Sequence, residues 1–197
     1  IYGVRPKSIT HLKHKQNVEA YMKLTQTELE LGDVETYKAR EAKIEDLSLL
    51  LEFERCLIEY EKKFTPNLKK SSFSYYNLRA YIENPDISVV VAEQKDEVIA
   101  SGYALVKKNK AYKNPEYYVL LGFMYVIPEQ RGAGVNKIII DYLLNWGKSR
   151  GYSEFQLDVY AQNESAIRAY KKAGFTFETF TMRINTSCLL YTSDAAD

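Results

Sequence analysis

Histidine is nearly missing from this chain. Its 197 residues carry two, His11 and His14, both near the start. From Lys15 onward there can be no Ser-His-Asp triad, no Cys-His pair and no histidine-built zinc site. Acid–base chemistry in the main body therefore falls to carboxylates, Tyr, Lys, Cys, backbone or water, and no metal is expected. Cysteine is as scarce: Cys56 and Cys188 cannot make a disulfide framework, which points to a reducing cytoplasm. Long apolar runs are absent too. The longest, Val119 to Ile127, is far short of the ~20 residues of a spanning helix. No charged-then-apolar signal segment opens the chain. Neither charge sign dominates, with Lys+Arg 27 against Asp+Glu 26. That gives no electrostatic case for nucleic acid or an anionic membrane as partner.

What remains is an ordinary globular composition, 46% hydrophobic and 27% charged, enough for one domain or one domain with an arm. Residues 1–34 start basic, then offer a helical stretch that Gly32-Asp33 breaks, and read as an N-terminal arm or the remnant of an upstream domain. The last ten residues, Cys188 to Asp197, read like a translated sequencing adapter and are expected to lie outside the fold. Between them, periodicity predicts a strand at Tyr37–Ala42 and a helix at Ile44–Lys63. A helix at Ser74–Glu83 and a hairpin of Ser88–Glu93 with Val98–Lys107 follow. Next come a buried strand at Tyr117–Val126, a helix at Val135–Ser149, a strand at Phe155–Tyr160, a helix at Asn163–Lys172 and a last strand at Phe175–Ile184. The order β-α-α-β-β-β-α-β-α-β implies one α/β domain over residues 35–187.

The most informative stretch is Met124 to Asn136, MYVIPEQRGAGVN. A buried strand ends, Pro128 turns the chain, and Gly132 and Gly134 open a helix. Glycines let backbone N–H groups approach an anion closely, and a helix N-terminus adds positive potential. A nucleotide P-loop needs four residues between its glycines and then Gly-Lys-Ser/Thr. Here one residue separates them and Lys137 precedes Ile138. A dinucleotide fingerprint needs a third small residue where Lys137 stands. A plain strand-to-helix turn stays open, as does another phosphate-ligand binder.

Downstream, Leu157-Asp158-Val159, Asn163, Ala166, Tyr170 and Gly174-Phe175 follow the spacing L-[DE]-V-x3-N-x2-A-x3-Y-x3-G-F. Together with Arg131-Gly132-Ala133-Gly134-Val135, this string resembles the GCN5-related N-acetyltransferase (GNAT) superfamily. The resemblance covers roughly Val34 to Asn185. It implies a single mixed, mostly antiparallel sheet flanked by helices, and acetyl transfer from acetyl-CoA to a primary amine by direct attack. Asn136 departs from the family pattern, which ends the loop in Gly or Ala there.

By that resemblance, Arg131, Gly132, Ala133, Gly134, Val135 and Asn136 would hold the acetyl-CoA pyrophosphate, with Asn163 also on the cofactor side. The backbone of Met124, Tyr125 and Val126 would pair with pantetheine where the strands carrying Tyr125 and Asp158 splay apart. Tyr170 matches the family tyrosine that protonates the departing thiolate. A phenol with a pKa near ~10 stays protonated at neutral pH. Strand Tyr117–Val126 carries no carboxylate, so Asp158 is the candidate base, with a water relay from Glu116 as an alternative. Cys56 reads as a packed core thiol. Acceptor specificity is expected in Phe64–Glu83 and in the Lys107–Pro115 loop. Tyr75, Tyr76, Tyr81, Tyr103 and Phe123 are candidates to line the amine pocket, though helical residues of this kind are more often core. The acceptor is a small-molecule or peptide amine, and a homodimer is one assembly option. The competing reading is a catalytically silent acyl-CoA-binding or regulatory module on the same fold.

Overall fold

The computed structural model describes residues 37–69 and 71–186. The expected arm at 1–34 and the tail at 188–197 lie outside the described residues. A five-stranded sheet runs in the order β1 (Lys38–Glu41), β2 (Ile87–Gln94), β3 (Glu97–Lys108), β4 (Tyr117–Val126), β5 (Phe155–Leu157). Neighbours are antiparallel except β4 and β5. The mixed, mostly antiparallel sheet read from the sequence is therefore present. The β2–β3 hairpin is tight because Lys95 and Asp96 both take positive φ, 50° and 65°, the pairing that matches strand twist.

Helix α3 (Val135–Ser149) links the parallel pair β4 and β5, as a parallel connection requires. It buries Val135, Ile139, Leu143 and Trp146 against Val90, Ala92, Ala100, Ala104, Val119 and Leu121. Each such aliphatic side chain taken out of water stabilises the fold by roughly 1.5–3 kcal/mol. The opposite face carries α1 (Leu47–Glu61) and α2 (Leu78–Glu83), which bury Leu50, Phe53 and Leu78 against Val89, Val91, Tyr103, Phe123 and Tyr125. Helix α4 (Glu164–Lys172) follows β5.

Strand β4 serves both faces. Val119 and Leu121 pack with α3, whereas Phe123 and Tyr125 pack with α1 and α2. All four sit at odd positions, so an uninterrupted strand would put them on one face. The switch is made by a bulge. The register against β3 slips between Ser101↔Tyr125 and Tyr103↔Gly122, and Phe123 takes φ 54°. One extra residue reverses the facing of everything after it.

Several expected elements are shorter. The first helix opens as a 3-10 turn at Ile44–Asp46 and ends at Glu61. Helix α2 starts at Leu78 and not at Ser74, because the N–H groups of Tyr75 and Tyr76 donate to the Glu54 carboxylate at 2.6 and 2.8 Å. Asn77 then caps α2 by accepting from the Ala80 N–H. Strand β5 stops at Leu157, since its ladder reaches only Leu121 before the bulge turns β4 away. The last expected strand, Phe175–Ile184, does not form. Its apolar residues occupy odd positions at Phe175 and Phe177 but even ones at Phe180, Met182 and Ile184. No single face is continuous, and Met182 is 94% exposed.

Candidate active site

The short β4–β5 ladder creates the opening. Pairing covers Val119–Leu121 with Phe155–Leu157 only, so among the described residues Phe123–Val126 have no strand on that side. Met124, Tyr125 and Val126 line this divergence from one edge and Asp158 begins the other. Arg131 bends back, its Nε donating to the Val126 carbonyl at 3.0 Å. Its guanidinium lies 5.2 Å from the Tyr60 ring and 5.9 Å from the Tyr125 ring. Tyr125 packs on Phe53 at 4.8 Å, and burial together with the Cys56 thiol raises its pKa.

The loop after β4 is built for backbone donation. Gly132 and Gly134 hold φ 88° and 87°, left-handed values that favour glycine, and a Cβ at either would project into open space. Ala133 N–H donates to Gln130, and Lys137 N–H to Gly134. The N–H groups of Gly132, Gly134, Val135 and Asn136 have no acceptor among the described residues. Gly134 is the N-cap of α3 and offers no side chain to satisfy them. An arc of free donors at a helix N-terminus suits a phosphate group.

Asn163 is a helix cap. Its Oδ1 sits over the start of α4, accepting from Ala166 N–H at 3.3 Å and from the Ser165 hydroxyl at 3.0 Å. Tyr170 lies on α4, 6.2 Å from the Phe175 ring. Burial, then the nearby charge of Glu61, pushes its phenol up to about 12. Asp158 is exposed, and its charge helps raise Tyr103, whose phenol burial chiefly pushes up to about 12. Glu116 is exposed and pairs with Lys108 at 3.2 Å. Tyr76 contacts Tyr103 at 5.3 Å and Phe123 at 5.4 Å, while Tyr81 meets Tyr103 at 5.4 Å. These four rings form an aromatic core under α2.

Sequence reasoning missed two carboxylates and two tyrosines. Glu54 is 3% exposed and accepts from Ser74 Oγ, Tyr75 N–H and Tyr76 N–H. Glu61 ends α1 half-buried, and burial holds its carboxyl above the usual carboxylate range. Tyr60 is held below its ordinary pKa first by the Ser165 hydroxyl, which joins α1 to α4. Tyr160 stacks on Phe64 at 5.8 Å. A signal was available: Glu54 and Glu61 fall on the same helical stripe as Leu50 and Leu57, and charges on an apolar stripe need a reason.

A sequence model of the acetyltransferase (GNAT) family matches residues 53–175, which span the bulged strand, the glycine loop and Tyr170. The chain belongs to the GNAT acetyltransferase family. It is an N-acetyltransferase. The thialysine N-epsilon-acetyltransferase of Sus scrofa is 31% identical over 144 residues, covering 68% of this chain and 81% of that protein. The BH1408 tetramutant of Bacillus halodurans superposes with a TM-score of 0.67 at 21% identity, over 75% of this chain and 99% of that one. A predicted acetyltransferase of Clostridium acetobutylicum, solved with acetyl-CoA, gives a TM-score of 0.60 at 20% identity, over 77% and 97%. Among the described residues of this GNAT protein, no helix is long and apolar enough to cross a membrane.

Proposed function

We propose that this GNAT enzyme transfers the acetyl group of acetyl-CoA to a small primary amine by direct attack. The carrying observation is the juxtaposition of the unpaired N–H groups at Gly132–Asn136 with the β4–β5 divergence. The loop donors, with the free nitrogens of the Arg131 guanidinium, take the pyrophosphate. Free edge groups of Met124 and Tyr125 meet the pantetheine arm, and Asn163 helps by fixing the start of α4. The amine gives a proton to Asp158 and attacks the thioester carbonyl. As the C–S bond breaks, the thiolate takes the proton of Tyr170, and the nitrogen's remaining excess proton restores the phenol. A phenol held near 12 stays protonated through the neutral range, which suits a donor. Similarity to a thialysine N-epsilon-acetyltransferase favours an acceptor with an alkyl primary amine. We further assign the enzyme to a reducing cytoplasm, on the scarcity of cysteine.

The test is a calorimetric titration with acetyl-CoA followed by thiol release with an amine panel that includes thialysine. Tight acetyl-CoA binding with amine-dependent release is expected. Binding without release from any amine would support the silent module. The specific observation in its favour is that β4 lacks a carboxylate and Asp158 is exposed.

A further inference from the structure

The glycine loop is free by composition and anchored by its surroundings. Gly132 and Gly134 give its backbone wide conformational freedom, and that freedom is lost when the N–H groups close on a phosphate. A loop held in its binding form before the ligand arrives binds more tightly. The anchor is the residue just before Arg131. Gln130 ends the 3-10 turn Pro128–Gln130, and both ends of its side-chain amide are engaged at the sheet. The Tyr37 hydroxyl donates to Gln130 Oε1 at 2.9 Å, and Gln130 Nε2 donates to Gln94 Oε1 at 2.7 Å.

These bonds reach far along the chain, 93 positions to Tyr37 and 36 to Gln94. Tyr37 immediately precedes β1 and Gln94 ends β2, while β3 adds a backbone bond, Ile127 N–H to the Ile99 carbonyl at 3.0 Å. The first three strands therefore converge on one turn. Gln130 also acts forward. Its carbonyl accepts from Ala133 N–H at 3.4 Å, which takes that donor out of the arc. The N–H groups of Gly132 and Gly134, on either side, keep no acceptor among the described residues.

Stability alone does not explain the polar pair. Gln94 is 8% exposed, and its Nε2 makes no hydrogen bond. A buried amide left half-satisfied is destabilising, and two apolar side chains of similar size would avoid the loss. Apolar contact lacks direction, however, whereas two hydrogen bonds on one amide fix its orientation and, through it, the turn.

We propose that Gln130, braced by Tyr37 and Gln94, is a positioning residue that sets the glycine loop in its phosphate-binding form before acetyl-CoA arrives. It acts through the backbone of residues 131–136 and touches no reacting atom. The brace rests on the acetyl-CoA reading above.

The experiment compares wild type with Tyr37→Phe, Gln130→Met, the combination of those two, and Gln94→Met with Gln130→Met. Calorimetry reads the acetyl-CoA Kd. Thiol release reads kcat/KM for acetyl-CoA and for S-acetylpantetheine, an acetyl donor without phosphate. Gln130→Met should raise the acetyl-CoA Kd about tenfold and leave kcat/KM for S-acetylpantetheine within about twofold. Tyr37→Phe should raise the Kd severalfold on its own and add nothing to Gln130→Met, because both remove the same bond. Gln94→Met with Gln130→Met removes the stranded amide, so Tm should return to the wild-type value while the Kd stays raised; a merely structural role would restore both. Weakened acetyl-CoA binding in the variants of a protein that acetylates no amine supports the brace and sinks the transfer reading alone. An unchanged acetyl-CoA Kd in Gln130→Met, equal losses for the two donors, or recovery of Kd together with Tm overturns the brace.

Discussion

Glu54 and Glu61 stand seven positions apart on one stripe of α1, and the fold treats them oppositely. Glu54 is 3% exposed and filled by the protein itself, with a hydroxyl and two backbone N–H groups on its oxygens. Glu61 is half-buried, has no ion pair among the described residues, and has the Tyr75 hydroxyl as its polar neighbour, so burial outweighs that one contact and holds its carboxyl above the usual range. A desolvated carboxylate is tolerable when hydrogen bonds replace its water and costly when they do not. Full internal satisfaction marks Glu54 as a structural charge, whereas Glu61 keeps part of its carboxylate open to solvent. The backbone repeats the contrast. The N–H groups of Tyr75 and Tyr76 are consumed by Glu54, while those at Gly132–Asn136 remain free.

The comparison breaks first at Glu54. Replacement by Ala should cost roughly 3 kcal/mol or more, since it strands two backbone donors and releases the 74–76 segment from α1. Chemical denaturation measures this, and a loss below about 1 kcal/mol would remove Glu54 from the structural class. On the ligand side, Tyr170→Phe keeps the ring and deletes the hydroxyl. It should lower kcat ~10²-fold with acetyl-CoA Kd held, provided chemistry limits turnover. Equal kcat in single-turnover assays would return Tyr170 to a packing role. Gly134→Val sharpens the backbone half. A β-branched residue at φ 87° is strained, and its side chain enters the space before the free donors. Acetyl-CoA affinity should fall about tenfold by calorimetry, a difference of about 1.4 kcal/mol.

The smallest effect is on stability at Glu61. Its carboxyl titrates higher in the folded protein than in the unfolded chain, so the unfolded state ionises first. Stability is therefore full below the ordinary carboxylate pKa and is lost as pH rises through the raised folded value. Glu61→Gln escapes that loss. It should match wild type at pH 3 and exceed it at pH 7 by no more than about 1 kcal/mol. A large loss of Tm at pH 7 would put Glu61 in the same class as Glu54.

Local pattern determined much of this protein. The nearly continuous apolar run Tyr117–Val126 fixed an internal strand with the bounds observed, and the stripe Val135, Ile139, Leu143, Trp146 fixed α3. The open backbone at Gly132 and Gly134 was legible because glycine lets N–H groups approach an anion closely; their positive φ came with the structure. Backbone-built features survive translation from sequence because their chemistry resides in short, contiguous runs. Only tertiary structure decided the rest. The bulge at Phe123 is invisible in a string whose odd residues are all apolar, yet it sends Val119 and Phe123 to opposite faces and opens β4 from β5. Phe175–Ile184 carried strand-like residues but no face that stayed in phase. Glu54 and Glu61 are the same residue type on the same helical stripe. Which one is satisfied depends on where Ser74, Tyr75, Tyr76 and Tyr160 arrive from other parts of the chain, because the energy of a buried charge is set by partners distant in sequence.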